Sequence, residues 1–221
     1  MSTPTVETMT FTQLLRRAQA LAADGRRRVL GLTGAPGAGK STLAERLVDR
    51  LGPQTAVLVP MDGFHLADAV LHDLGRHARK GAHDTFDGHG YVALLRRIRE
   101  QRERVEAGDD DIIYAPVFRR DLEEPVGSAI PVRPETPLVV TEGNYLLLDR
   151  SPWQRARDLI DEVWFLAPSE EQRLEWLIAR HERFGRSPEE ARERSLGSDQ
   201  ANAELIASTA ARADLVVRVT D

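Results

Sequence analysis

Nine consecutive residues constrain this chain more than any others: Gly34-Ala35-Pro36-Gly37-Ala38-Gly39-Lys40-Ser41-Thr42. The first eight fill every position of G-x-x-x-x-G-K-[ST], the pattern of a phosphate-binding loop. Before them, Arg28 to Thr33 is a short apolar run of strand character. After them, apolar residues at 43, 44, 47, 48 and 51 recur at helical spacing. A loop that leads from a buried strand into a helix turns its backbone N–H groups toward an anion, and the helix dipole adds positive potential there. The glycines let the backbone wrap a phosphate chain without Cβ clashes. Lys40 is expected to reach the β- and γ-phosphates and the Ser41 hydroxyl to ligand Mg²⁺, so Gly34 to Thr42 reads as a nucleoside-triphosphate site.

The rest of the chain alternates strand and helix. Residues 56–61, 138–142, 161–166 and 213–219 read as further apolar strands, and helices are expected over 10–23, 66–75, 91–105, 153–160, 169–184, from 187, and 199–212. Helix 91–105 has a basic face offset by glutamates, which reads as solvated. Gly108-Asp109-Asp110-Asp111 reads as an acidic turn. The proline-punctuated stretch 112–133 reads as a flap of short edge strands. Five of the six histidines fall at 65, 72, 77, 83 and 89, without a repeated metal-ligand spacing, and read as solvated loop residues.

Uniformly apolar strands alternating with helices predict a doubly wound, parallel, five-stranded α/β sheet of the P-loop NTPase class. At 221 residues and 41% hydrophobic, one domain spanning 1–221 is expected, with a flap near 112–133 and a helical lid near 180–190. A net charge of −5 argues against a nucleic-acid partner, and no apolar run approaches the 18 or so residues of a membrane span. The absence of cysteine removes thiolate chemistry and fits a cytoplasmic protein. A homodimer is compatible with this reading. Ligands of such sheets sit at the carboxyl ends of the strands. Gly34, Asp62 and Glu142 each follow a strand's end and are expected to share one crevice.

Along residues 28 to 219 the chain resembles the uridine kinase, phosphoribulokinase and bacterial pantothenate kinase family. The resemblance is carried in order by the loop, Met61-Asp62-Gly63-Phe64, Lys80-Gly81-Ala82-His83-Asp84-Thr85-Phe86-Asp87, Ala115-Pro116-Val117-Phe118, Val140-Thr141-Glu142-Gly143, and the arginine-rich Arg180 to Arg186. His83 stands where the family usually has proline. Within the family the chain is similar to nucleoside/nucleotide kinase-like members, some labelled fructose kinase. The loop alone also looks like that of adenylate kinases. The guanine-selective Asn-Lys-x-Asp pattern is absent.

The resemblance implies an ATP-dependent, Mg²⁺-assisted kinase acting on a hydroxyl of a sugar, nucleoside or vitamin-precursor type of small molecule, with Gly34 to Thr42 as its ATP-binding segment. Asp62 is expected to take or orient the acceptor proton, and Glu142 to help hold the metal with Ser41 or to orient the acceptor. Arg183 and Arg186 are expected to close over the phosphates as a lid. Candidate acceptor contacts are Asp62, His65, Asp87, Tyr114, Phe118, Arg119, Arg120 and Glu142. The competing readings are a nucleoside-monophosphate-type kinase and a nucleotide-switch protein without an acceptor.

Overall fold

Strand β2 (Arg28–Thr33) and strand β6 (Leu138–Glu142) are neighbours inside the main sheet, where burial on both faces demands the apolar side chains they carry. The structure is a computed structural model that describes residues 4–23, 25–104 and 111–220. The chain opens with β1 (Glu7–Thr10) and α1 (Phe11–Ala22), followed by β2, α2 (Lys40–Leu51) and β3 (Ala56–Pro60). A 3-10 turn, Met61–Phe64, leads to α3 (Asp68–Asp73) and α4 (Gly88–Arg104). Next come β4 (Ile113–Arg119), β5 (Glu124–Val132), β6, α5 (Gln154–Arg157) and β7 (Glu162–Leu166). The chain ends with α6 (Glu170–Arg183), α7 (Pro188–Leu196), α8 (Ser198–Ala207) and β8 (Leu215–Thr220). The turn expected at 108–111 falls, but for Asp111, outside the described residues.

The main sheet has the order β1-β8-β7-β2-β6-β3, and every neighbouring pair is parallel. Six strands replace the expected five. The addition is β1, which pairs with β8 from Glu7↔Val217 to Thr10↔Thr220. Its four residues, Glu-Thr-Met-Thr, have no apolar run. Backbone pairing along the β8 edge makes them a strand, and Thr10 then caps α1 by accepting the Gln13 N–H.

Each face of the sheet carries its own core. Leu30, Leu32, Val140 and Trp164 pack on α1 and α2 through Leu14, Leu43 and Leu47. Val29, Val139, Val163 and Phe165 turn the other way, toward Tyr91, Leu95 and Ile98 of α4 and Ile206 of α8. The period of two along each strand makes this division. Between β6 and the edge strand β3, Thr141 Oγ1 donates to the Val59 carbonyl at 2.7 Å. Its single proton is thereby used, so the buried Tyr91 hydroxyl at 2.8 Å must be the donor to Thr141.

The flap is an antiparallel hairpin of β4 and β5, separate from the main sheet, with an irregularity between Ala115 and Val117. It sits on the Met61–Phe64 turn. A Cβ added to Gly63 would lie 2.5 Å from the Pro116 carbonyl oxygen, so only glycine allows this approach. An aromatic cluster of Phe86, Tyr91, Tyr145 and Trp153 packs below, with ring centroids 5.6 to 6.0 Å from Trp153. The Trp153 indole also donates to the His83 carbonyl at 3.1 Å. Among the described residues no helix is long and apolar enough to cross a membrane.

Trp153 is 1% exposed, and its removal leaves both a cavity and an unpaired carbonyl. Trp153→Ala is expected to lower unfolding free energy by about 3–5 kcal/mol in a urea titration. A loss below about 1 kcal/mol would show that this cluster does not hold the 83–91 connector in place.

Candidate active site

The register of the sheet assembles the site. Glu142, the last residue of β6, is paired with Leu32 on one side and Pro60 on the other. The loop begins two residues after Leu32, at Gly34, and Asp62 lies two residues after Pro60. Three strand ends therefore deliver Lys40, Asp62 and Glu142 to one crevice. Gly143 fits closely here too, donating to the Leu32 carbonyl at 3.0 Å, where a Cβ would lie 2.5 Å from Met61 Cβ.

Gly34, Gly37 and Gly39 all have positive φ, at 149°, 84° and 85°. Between them lie Ala35, Pro36 and the buried Ala38, whose N–H closes a turn onto the Ala35 carbonyl at 3.0 Å. Gly39 is the left-handed cap of α2, so the N–H groups of Lys40, Ser41 and Thr42 belong to the open first turn of that helix. Lys40 Nζ donates to the carbonyls of Gly34 (2.9 Å) and Ala35 (3.0 Å).

Charge is concentrated around Lys40 and Glu142, 8% and 5% exposed. Burial pulls the Lys40 ammonium down to about 8; Arg180 acts the same way, and Glu142 opposes them. Burial, followed by the like charge of Asp62, pushes the Glu142 carboxyl up to about 7, while Lys40 and a hydrogen bond from the Ser41 side chain hold it down. Ser41, Glu142 and the nearby Asp62 make a hard oxygen donor set that suits Mg²⁺ carried by phosphates. Among the described residues no three His, Cys, Asp or Glu side chains form a metal site of their own.

Helix α6 lies along the loop. Arg173, 3% exposed, donates to the Pro36 carbonyl at 3.0 Å and is braced by Glu170 and Gln200. A Cβ on Gly37 would lie 2.6 Å from the Arg173 carbonyl and 2.9 Å from Leu177 Cβ. Two turns on, Arg180 lines the open cleft in the field of Lys40, Asp62 and Glu142. Crowding by surrounding protein, with Arg120 adding to it, pulls its guanidinium below its ordinary value.

Arg183 ends α6 and Arg186 follows the Gly185 turn, and both side chains are exposed. Arg180 is exposed like them but lies in the field of Lys40, Asp62 and Glu142; the sequence reading names Arg183 and Arg186 for the lid and does not single it out. Its signal is the spacing Arg173, Leu177, Arg180, which puts all three on one helical face.

On the acceptor side, Arg120 comes from the hairpin to within 3.8 Å of Asp62 and lies over the Phe184 ring at 5.2 Å. His65 is packed between Phe86 and Phe118, with centroids at 4.0 and 4.7 Å, so it is not a solvated loop histidine. Its Nδ1 is 2.8 Å from the Asp62 carbonyl, which can only accept, so the proton is on Nδ1. Burial lowers the His65 pKa and favours the neutral ring. Lys80 lies over Phe118 at 5.3 Å and is tied to Asp68 at 2.6 Å. His72 and His77 stack at 4.0 Å.

Three other candidates are exposed. Asp87 is exposed and accepts the Gly90 N–H at 2.8 Å at the start of α4. Arg119 is engaged with Asp121 at 2.7 Å, and Tyr114 is 52% exposed on the hairpin.

A sequence profile of the phosphoribulokinase / uridine kinase family matches residues 29–221. A Schizosaccharomyces pombe protein provisionally named a uridine kinase is 32% identical over 94% of this chain and 90% of its own length. Among solved structures, a Silicibacter protein provisionally named a fructose transport system kinase superposes with a TM-score of 0.81. It is 33% identical over 94% of this chain and 98% of that one. A circularly permuted P-loop protein of Saccharomyces cerevisiae, provisionally named a kinase, has a TM-score of 0.78 at 20% identity over 96% and 100%, which is a likeness of fold.

Because burial disfavours the charged form of Lys40, its presence answers a ligand's charge rather than the core's needs. Lys40→Met is expected to unfold at the parental urea midpoint or above it while ATP affinity falls at least tenfold by calorimetry. A strongly destabilised variant with parental ATP affinity would return Lys40 to a structural role.

Proposed function

The chain belongs to the phosphoribulokinase / uridine kinase family, and from that premise we propose that its cleft passes the γ-phosphoryl group of ATP to a hydroxyl of a small molecule of sugar, nucleoside or vitamin-precursor type. It is an ATP-dependent kinase of small molecules; the acceptor, the metal and a cytoplasmic setting belong to the proposal. The observation that carries it is the meeting of Lys40, Glu142, Asp62 and Arg180 at three adjacent strand ends, with Arg120 reaching in from the hairpin.

Phosphoryl transfer depends mainly on positioning and on charge stabilisation. The acceptor oxygen forms the new bond to the γ-phosphorus as the bond to the bridging oxygen of ADP breaks, and the acceptor proton passes to Asp62. Asp62 suits this role because it stands at the Glu142 side of the crevice, opposite the loop. The loop amides, Lys40 and Arg180 face the negative charge that spreads over the transferred group. Ser41 and Glu142 would hold Mg²⁺, which would supply positive charge against the phosphates. His65 presents a neutral ring beside Asp62, a surface suited to a polar, uncharged part of an acceptor.

Asp62→Asn keeps size and hydrogen bonding while removing the basic charge. With an acceptor found by screening a metabolite panel for acceptor-dependent ADP release, this variant is expected to lose turnover by about 10²–10⁴-fold and to keep its ATP affinity. Undiminished phosphorylation would remove Asp62 from the mechanism. A panel without any acceptor, with slow ATPase unchanged in the variant, would favour the nucleotide-switch reading.

The two displaced titrations have opposite consequences. Metal on Glu142 favours its ionised form, so binding of Mg-ATP below about pH 7 releases protons. Phosphate at Lys40 favours the ammonium, so binding above about pH 8 takes protons up. Calorimetry in buffers of different ionisation enthalpy should give release at about pH 6.5 and uptake at about pH 8.5, with the release absent in Glu142→Gln. Equal proton exchange at both pH values would contradict this pairing.

A further inference from the structure

Of the three tryptophans, Trp153 and Trp164 are 1% and 0% exposed, and both indole N–H groups are bonded, to the His83 carbonyl and to Glu162. Trp176 differs on both counts. It is 43% exposed, and among the described residues its indole N–H has no hydrogen-bond partner. A large apolar ring left in water, when two others in the same chain are fully packed, calls for a cause.

Its position supplies one. The residues of α6 follow the loop in step: Arg173 on the Pro36 carbonyl, Leu177 against Gly37, and Arg180 in the field of Lys40. Trp176 belongs to the same series. At Gly39 its Cζ3 is the one atom that an added Cβ would meet, 3.6 Å away, so the indole borders the residue that caps α2. A nucleoside triphosphate in the loop has its γ end toward Lys40, Glu142 and Asp62. Its other end, with ribose and base, must leave past the first turn of α2, where Thr42 is exposed.

We propose that Trp176 is the stacking platform for the nucleobase of the bound triphosphate. This rests on the loop's being the nucleotide site and adds where the base goes and what holds it. Stacking uses the flat face that every base has, so affinity gained in this way does not require hydrogen-bond readout of the base. The indole brings area at little conformational cost, having only two side-chain torsions to fix. Docking of the base would also cover the exposed ring and hold α6, with Arg180, against the phosphates.

The test compares ATP with inorganic tripolyphosphate, which carries the same phosphate chain and no base. Acrylamide quenching reads Trp176, since the other two indoles are buried. In the parental protein ATP should shield the fluorescence from acrylamide and tripolyphosphate should not, although it competes with ATP. Trp176→Ala should weaken ATP about tenfold and leave tripolyphosphate within twofold, and Trp176→Phe should recover most of the loss. Equal quenching with and without bound ATP would overturn the proposal. So would a Trp176→Ala variant that loses ATP and tripolyphosphate to the same extent, since Trp176 would then serve only to pack the loop. If neither ligand bound the parental protein, the nucleotide site itself would be lost, an outcome separate from the other two.

Discussion

A lysine and a glutamate lie almost out of water at the carboxyl edge of the sheet, and their mutual attraction does not cover what burial costs them. Each is displaced toward its neutral form in spite of the other. Such a pair is tolerated only where the surroundings hold it rigidly and a ligand of strong charge completes it. Much of the nearby structure answers that demand. The close approach at Gly143 fixes Glu142, the carbonyls of Gly34 and Ala35 hold Lys40, and two cores hold the strands in register beneath.

The same constraint explains why α6 is more than a cover. Through Arg173 it is bonded to the loop backbone, and through Leu177 it is packed on Gly37. A displacement of α6 therefore moves the phosphate loop and Arg180 together. Anchor and responsive group are seven residues apart on one face, a rigid linkage of two helical turns. Beyond Phe184 the chain turns at Gly185, and Ser187 starts α7 with a capping box to Glu190. Arg183 and Arg186 lie at this corner, outside the part of the helix tied to the loop.

Much of this was legible in the sequence because it is local. Strand, glycine loop and helix follow one another without interruption from Arg28 to Leu51, and the apolar runs at 138–142 and 162–166 could not be anything but buried. Placing Asp62 and Glu142 near the loop needed only the rule that parallel strands end on the same side. Two things were not legible. Strand β1 takes its conformation from β8, about two hundred positions away, and its own side chains carry no strand signal. The choice of Arg180 from the arginines at 180, 183 and 186 depends on the rotation of α6, which is set by Arg173 meeting the Pro36 carbonyl. Asp87 shows a further limit, since a carboxylate before a helix can serve as a cap as readily as a ligand. Packing also withdrew His65 from solvent, through Phe118 of a hairpin more than fifty residues away.

The seat of the hairpin on Gly63 has a consequence for how such a protein can change. The close contact is made by the Pro116 carbonyl, an atom that every residue type possesses, against a residue with no side chain. Fit at that point is indifferent to what Tyr114, Phe118, Arg119 and Arg120 happen to be. The seat itself therefore places no demand on those four side chains, and what constrains each of them is its own contact, such as Phe118 on His65 or Arg120 beside Asp62. Conversely, a hairpin seated in this way requires glycine at position 63, because any Cβ there would meet the Pro116 carbonyl. Side chains can change on one side of the contact while the backbone seat on the other stays as it is.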